Sequence, residues 1–451
     1  MCHESMKGPE EARTLHALMG RRRMLAMLAH GALALAARPG LAAAPASVVV
    51  MTGYPEEVMA RFEAGFERRY PQYRLRILWR MPGDALPYLS QPGQGGVDVY
   101  WSASPRTFSR LKQAGAFQPL GIERAGLPEK IGAIQLTDPD GYFTASEMAG
   151  YGFVYDPDAL SGLGVPVPKD WSGLADPRLA GRIAVPNPAR VGFAPVMVDI
   201  VLQCYGWERG WALWAEIAGM ATLIGSGGRR VAEEIGPDRA AIGLSIDFFI
   251  AAAIAGGAPL RFAYPVQGGI NPAHIAITAA AGNVEGARAF VEFVLSDDGQ
   301  RLLADPDIRK LPVRPSAYAG LPADYHNPFV VASAGGYRYD NEAGRERLAL
   351  VSSIFEQMFA QGHERFVSIW ARLHAAERSG HDMRAARARL CAPPLDEQRA
   401  ADPALLALFR ERFEGAENVD GAALQQVEVG WQWSAAVARS EVERLLDGAG
   451  A

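Results

Sequence analysis

Ser47-Val48-Val49-Val50-Met51-Thr52-Gly53-Tyr54-Pro55-Glu56-Glu57 is the stretch from which the fold can be read. An apolar, mostly β-branched run ends at a Thr-Gly-Tyr turn, and a proline followed by two acids suits the first turn of a helix. Val58, Phe62 and Phe66 recur at spacings of four, so residues 55–69 read as an amphipathic helix lying on a sheet, ended by Pro71. Arg74 to Trp79 alternates as a strand, and a loop rich in Pro and Gly (91–96) leads into Val97-Asp98-Val99-Tyr100-Trp101. Strand, helix, strand, helix, strand is the order of a parallel sheet covered by helices, an α/β fold.

Before this strand, Arg21-Arg22-Arg23-Met24-Leu25 opens an apolar stretch that His30 interrupts, and Arg38-Pro39-Gly40 and small residues follow to Ala46. These are the parts of an export signal, too short and broken to remain as a membrane-spanning helix. Residues 1–46 are therefore expected to be cleaved near Ala46, leaving a periplasmic protein. The order of arginines and apolar residues resembles a twin-arginine signal, with an ordinary secretory leader as the alternative.

Of 45 Lys+Arg and 50 Asp+Glu, the leader holds six and three, which leaves a chain about eight charges negative. No basic run remains as a footprint for nucleic acid. Cys204 and Cys391 survive the leader; an oxidising compartment permits a bridge between them, but Cys204 lies in an apolar helical pattern where a buried free thiol is common. The histidines after residue 46 form no His-x-x-x-His pair and there is no Cys-x-x-Cys, so neither a metal site nor a cofactor is expected.

Further along, the alternation continues through a short helix at 105–114 and an extended stretch at 141–148. Flexible residues around Ala149-Gly150-Tyr151-Gly152 read as a crossover. Strands at 152–155, 182–185, 221–225 and 241–246, with helices at 193–206 and from Arg229, build a second set. Residues 264–269 read as a return crossover before a strand at 273–278 and a helix at 284–295. From about Leu321 the chain turns helical, with Ile354, Phe355, Met358, Phe359, Phe366, Ile369, Trp370 and Leu373 at helical spacings.

Several stretches carry a family likeness: Thr52 to Glu57, Gly95-Gly96-Val97-Asp98-Val99-Tyr100-Trp101, Trp171-Ser172-Gly173-Leu174-Ala175-Asp176-Pro177-Arg178-Leu179-Ala180-Gly181-Arg182, Ala241 to Asp247, Ala289 to Gln300, and Leu311-Pro312-Val313-Arg314-Pro315. In this order, over residues 47 to about 320, the chain resembles the type 2 periplasmic substrate-binding proteins of ABC importers, in the branch of ferric-iron, thiamine, phosphonate and sugar-phosphate binders. The resemblance implies a two-lobed α/β protein with hinge crossovers that closes on a solute and hands it to a membrane permease. Residues 47–149 and 266–320 would form lobe 1, 150–265 lobe 2, and 321–451 a helical C-terminal extension; a monomer is expected.

In such lobes strand ends and helix N-termini face the crevice, where backbone N–H groups favour anionic or polar ligands. Thr52, Gly53 and Tyr54 stand at the first strand end, and Trp101, Ser102 and Ser104 at the third; Trp101 would stack on the solute or else lie in the core. In the second lobe Ser226, Gly227, Gly228 and Arg229 can nest an anion, and Asn187 and Arg190 occupy a parallel strand end. Asp247 is an acceptor for the solute or is tied to backbone. The ferric members resembled here use adjacent tyrosines near this segment, where this chain has Phe248-Phe249 without oxygen donors.

Catalysis finds little support. Gly243-Leu244-Ser245-Ile246-Asp247 lacks the second Gly of a nucleophile elbow, and His363-Glu364-Arg365-Phe366-Val367 lacks the second His of a zinc protease. The expected function is capture of a small polar or anionic solute by a non-enzymatic importer component. The alternatives are a ferric-iron or iron-chelate binder, an exported hydrolase and a ligand-sensing periplasmic protein.

Overall fold

Val48, Val50, Met51 and Thr52 are fully buried because β1 (Ala46–Thr52) lies between two parallel neighbours, β2 (Tyr73–Trp79) and β3 (Val99–Ser102). Val50 stands opposite both Ile77 and Val99. The computed structural model describes residues 44–228, 230–323, 325–413 and 421–450. The leader, apart from its last three residues, and Arg229 therefore lie outside the described residues. Helix α1 (Glu56–Arg69) follows β1, with Glu56 and Glu57 facing the positive end of its dipole and Val58, Met59, Phe62 and Phe66 buried. A Cβ at Gly65 would come 2.6 Å from Phe293, so the absent side chain lets α1 and the helix Val284–Leu295 meet. Helix α2 (Pro105–Gln113) covers the opposite face through Phe108 and Leu111.

One strand is common to both halves of the sheet. β4 (Phe143–Tyr155), β5 (Ile183–Pro186), β6 (Ala221–Ile224), β7 (Ile242–Ile246) and β8 (Ile270–Thr278) complete the order β2-β1-β3-β8-β4-β7-β5-β6. The first part of β4 pairs antiparallel with β8, Gly150 opposite Ile270, and its remainder antiparallel with β7, Tyr151 opposite Ile246. β8 is also antiparallel to β3, so β4 runs in the direction of β1 to β3, while β5, β6 and β7 run against it. The carboxyl ends of the two parallel groups therefore face each other along β4. Ser102 is level with Ala145 through His274, and Ile246 with Tyr151, a gap of roughly 20 Å at ~3.3 Å per residue.

From Tyr339 on the helical C-terminal part packs in the second half, whereas Tyr325, Phe329 and Tyr337 before it pack in the first. Helices α3 (Ala194–Tyr205), α4 (Trp207–Met220) and α5 (Asp247–Ala255) flank the second group of strands; α6 (Asn341–Phe355) packs on α3, α7 (His363–Arg378) on α4, and α8 (Gly421–Gly448) lies outside them against α6, α7 and the helix Arg384–Cys391. Trp211 and Trp214 of α4 meet Phe359 and Phe355 at 6.0 and 5.7 Å between ring centroids. At Gly219 a Cβ would come 2.1 Å from the Trp370 ring, so only glycine admits α7 there. Arg347 of α6 closes the join with a 2.5 Å ion pair to the fully buried Asp199. A π-helical turn, Glu356–Ala360, follows α6. Cys204 and Cys391 are both free, their thiols pushed up to about 11 and about 12 by burial.

Candidate functional site

At the first strand end, Thr52 is enclosed and its Oγ1 accepts the Tyr54 N–H at 3.1 Å, a local bond that fixes the turn. Gly53 is exposed, whereas the Tyr54 ring turns inward and its hydroxyl donates to Glu147 Oε1. Trp79 at the end of β2, 51% exposed, donates its indole N–H to the Tyr54 carbonyl at 3.1 Å. At the third strand end Ser102 is buried, and Ser104 Oγ lies 2.8 Å from Thr107 Oγ1 at the start of α2.

Trp101, expected either to stack on the solute or to lie in the core, is fully buried. Phe62 and Tyr54 meet it edge-on at 4.8 and 5.0 Å, and its N–H reaches Ser146 Oγ at 2.8 Å and Glu147 Oε2 at 3.1 Å. Its place is in the core, where it orients Glu147. No face of the indole is open to a solute in this conformation.

Glu147 is the hub of this cluster. Lys310 Nζ stands 3.0 Å from Glu147 Oε1, 3.9 Å from the centroid of the Tyr54 ring and 4.8 Å from that of Phe248 on α5. A buried ammonium thus touches groups from both facing sets of strand ends, held by one carboxylate and two aromatic faces. Burial pushes the Glu147 carboxyl up, but the Lys310 charge and the bonds from Ser146, Tyr54 and Lys310 outweigh it, leaving it below the usual range.

Of the expected residues of the second half, Arg190, Ser226, Gly227 and Gly228 come together, Asn187 and Asp247 depart, and Arg229 lies outside the described residues. Arg190 is exposed, its Cδ 3.6 Å from the position a Cβ would take on Gly225; Gly227 lies against Val191 and Gly228, at φ +65°, faces Phe249. Ser226 is exposed on the same surface. Asn187, in contrast, is buried, its amide donating to Glu356 Oε2 at 2.9 Å and its Oδ1 capping Ala189 N at 2.8 Å. Asp247 is likewise occupied within the fold. Oδ2 accepts the Gly150 N–H at 2.8 Å and the Tyr264 hydroxyl at 2.9 Å, and Oδ1 accepts Phe248 N–H at 2.6 Å. Burial pushes its carboxyl up to about 6. It clasps both crossovers, which is the reading tied to backbone.

Lys310, Glu147 and Trp79 were not singled out by sequence. Glu147 carried a signal, a charge inside the small and apolar run Ala145-Ser146-Glu147-Met148-Ala149. Lys310 carried none, since its partners are distant in the chain. Phe248 and Phe249, with ring centroids 4.1 Å apart, offer no oxygen to a metal, and among the described residues no group of three His, Cys, Asp or Glu is placed to hold one.

The family model for bacterial extracellular solute-binding protein matches residues 96–332. The phosphoglycerate transport regulatory protein PgtC of Salmonella typhimurium is 27% identical over 337 residues, 74% of this chain and 82% of PgtC. Iron-bound HitA from Pseudomonas aeruginosa superposes with a TM-score of 0.55 at 16% identity, covering 68% of this chain and 99% of HitA. The apo ferric ion-binding protein A of Pasteurella haemolytica gives 0.54 at 14%, covering 69% and 97%. At these identities the two structures share the fold.

Proposed function

The chain belongs to the bacterial extracellular solute-binding proteins, and we propose that it is the solute-binding component of an ABC importer, capturing a small polar or anionic solute between its facing strand ends and delivering it to the permease. The observation that carries this reading is Lys310 standing between Tyr54 of one strand group and Phe248 of the other, at the point where both sets of carboxyl ends converge. Residues 47–149 with 266–320 form one lobe and 150–265 the other, joined at the crossovers that Asp247 clasps; of the extension, Tyr325 to Tyr337 pack on the first lobe and the helices from Tyr339 on extend the second. The leader directs export and is cleaved near Ala46, and the protein works in the periplasm as a monomer without catalytic chemistry.

Arg190, Ser226 and the glycines beside it support an anionic group on the solute, because exposed N–H groups and a guanidinium share that surface. A ferric cargo held by paired phenolates is not favoured where the pair is Phe248-Phe249. The test is a thermal-shift screen of the mature protein against phosphorylated, phosphonate, carboxylate, polyamine and ferric ligands. One class should raise the melting temperature in proportion to the logarithm of its concentration. Ser226→Ala and Arg229→Ala should weaken that ligand. Turnover of an ester or phosphoester with no stabilisation by any class would overturn the reading.

A further inference from the structure

A cavity of about 610 Å³ lies beside the end of β3, where His274 stands opposite Ser102, between α2, the segment 133–143, the start of β8 and the first turns of α6. None of Tyr54, Lys310, Phe248, Asn187 or Ser226 lines it. Its wall includes His274, 4% exposed, whose ring is held by Phe108 and Phe143 at 5.4 and 5.2 Å and whose Nδ1 is buried without a hydrogen-bond partner. Burial keeps this imidazole neutral, lowered to about 4. A buried nitrogen in a cavity wall, paired with nothing, is uncommon in a folded protein.

The charges around the cavity are already matched. Lys112 Nζ bonds Asp138 at 2.6 Å and Asp140 at 2.5 Å, Arg345 pairs with Glu342 and reaches Ser109 Oγ at 3.4 Å, and Asp340 caps the N–H groups of Glu342 and Ala343 at 2.9 and 3.1 Å. A charged guest would have to break one of these pairs. What remains is a neutral imidazole, the amide of Gln113, the amide oxygens of Gln135 and Asn341, whose N–H groups already donate to the Thr137 and Ile270 carbonyls, and apolar ring faces from prolines and Phe143. Hydroxyls around flat C–H faces complement such a lining, and the volume falls in the range of small-molecule pockets.

The geometry points to a second ligand site here, for an uncharged polyhydroxylated molecule of monosaccharide to disaccharide size, one hydroxyl of which bonds the His274 imidazole. The site is independent of the solute between the strand ends. It owes one wall to the C-terminal helices, since Asn341 donates to the Ile270 carbonyl at 3.3 Å and α6 is pinned to α3 by the Arg347–Asp199 pair.

Calorimetric titration of the full chain with D-glucose, maltose, myo-inositol and glycerol, each to millimolar concentrations, tests this. At least one should bind saturably. Ser109→Trp, which fills the cavity from its rim, and His274→Phe, which removes the nitrogens, should each weaken that binding by roughly tenfold or more. Ser226→Ala should leave it unchanged, which separates this site from the solute cleft, and melting curves check that each variant is folded. The proposal is overturned by the absence of saturable binding to the wild-type chain, or by unchanged affinity in folded Ser109→Trp.

Discussion

Lys310 is a structural residue at the proposed site. It is 4% exposed and its partner Glu147 1%, so each charge depends on the other. Lys310→Met should destabilise the protein by roughly 3–5 kcal/mol, because it leaves a buried carboxylate uncompensated, and adding Glu147→Gln should recover part of that loss. Urea unfolding of the two single variants and the double variant measures the coupling; additive losses would show that the pair is not one unit. Asp247 makes a prediction of opposite kind. Its carboxyl is raised from 3.8 to about 6, so the folded state holds the proton more tightly, and this group's contribution to stability falls as pH rises through that window and is gone above it. The amount is roughly 3 kcal/mol at ~1.4 kcal/mol per unit. The stability difference between wild type and Asp247→Asn should therefore slope between pH 4 and pH 6.5, whereas a flat difference would refute the shift.

At the scale of elements, glycine spacing decides which helices meet. Gly219→Ala would drive a methyl into the Trp370 ring and Gly65→Ala one into Phe293, each expected to cost about 1–3 kcal/mol as overpacking and to lower the melting temperature. β1 to β3 and α1 were legible because their patterns are local: a β-branched run, a period of four, a proline at each helix boundary. The facing of strand ends was legible only through family likeness. Nothing in the run around Gly150 says that one strand serves both halves of the sheet, since its partners Ile270 and Ile246 lie about a hundred residues away. Trp101 illustrates the limit. Its position at a strand end was read correctly, but which way the ring turns is set by Phe62, Phe290 and Glu147 from three other elements.

For the whole molecule, the C-terminal helices act as part of the second core rather than as an appendage. Trp207, Trp211 and Trp214 share one apolar cluster with Phe355, Phe359, Phe366 and Trp370. Truncation before Tyr339 would bare that cluster, and the shortened chain should bind a hydrophobic dye and aggregate where the full chain stays soluble. A truncated chain that melts cooperatively near the wild-type temperature would show the helices to be dispensable. The same burial has an optical consequence. Of the nine tryptophans, only Trp79 and Trp433 are more than half exposed, at 51% and 68%, and Trp79 hydrogen-bonds the backbone of Tyr54. After Trp433→Phe, the red edge of the intrinsic emission would come from a single indole bonded to the Tyr54 carbonyl, so a solute captured at the proposed site should shift or quench that emission and make it a gauge of occupancy.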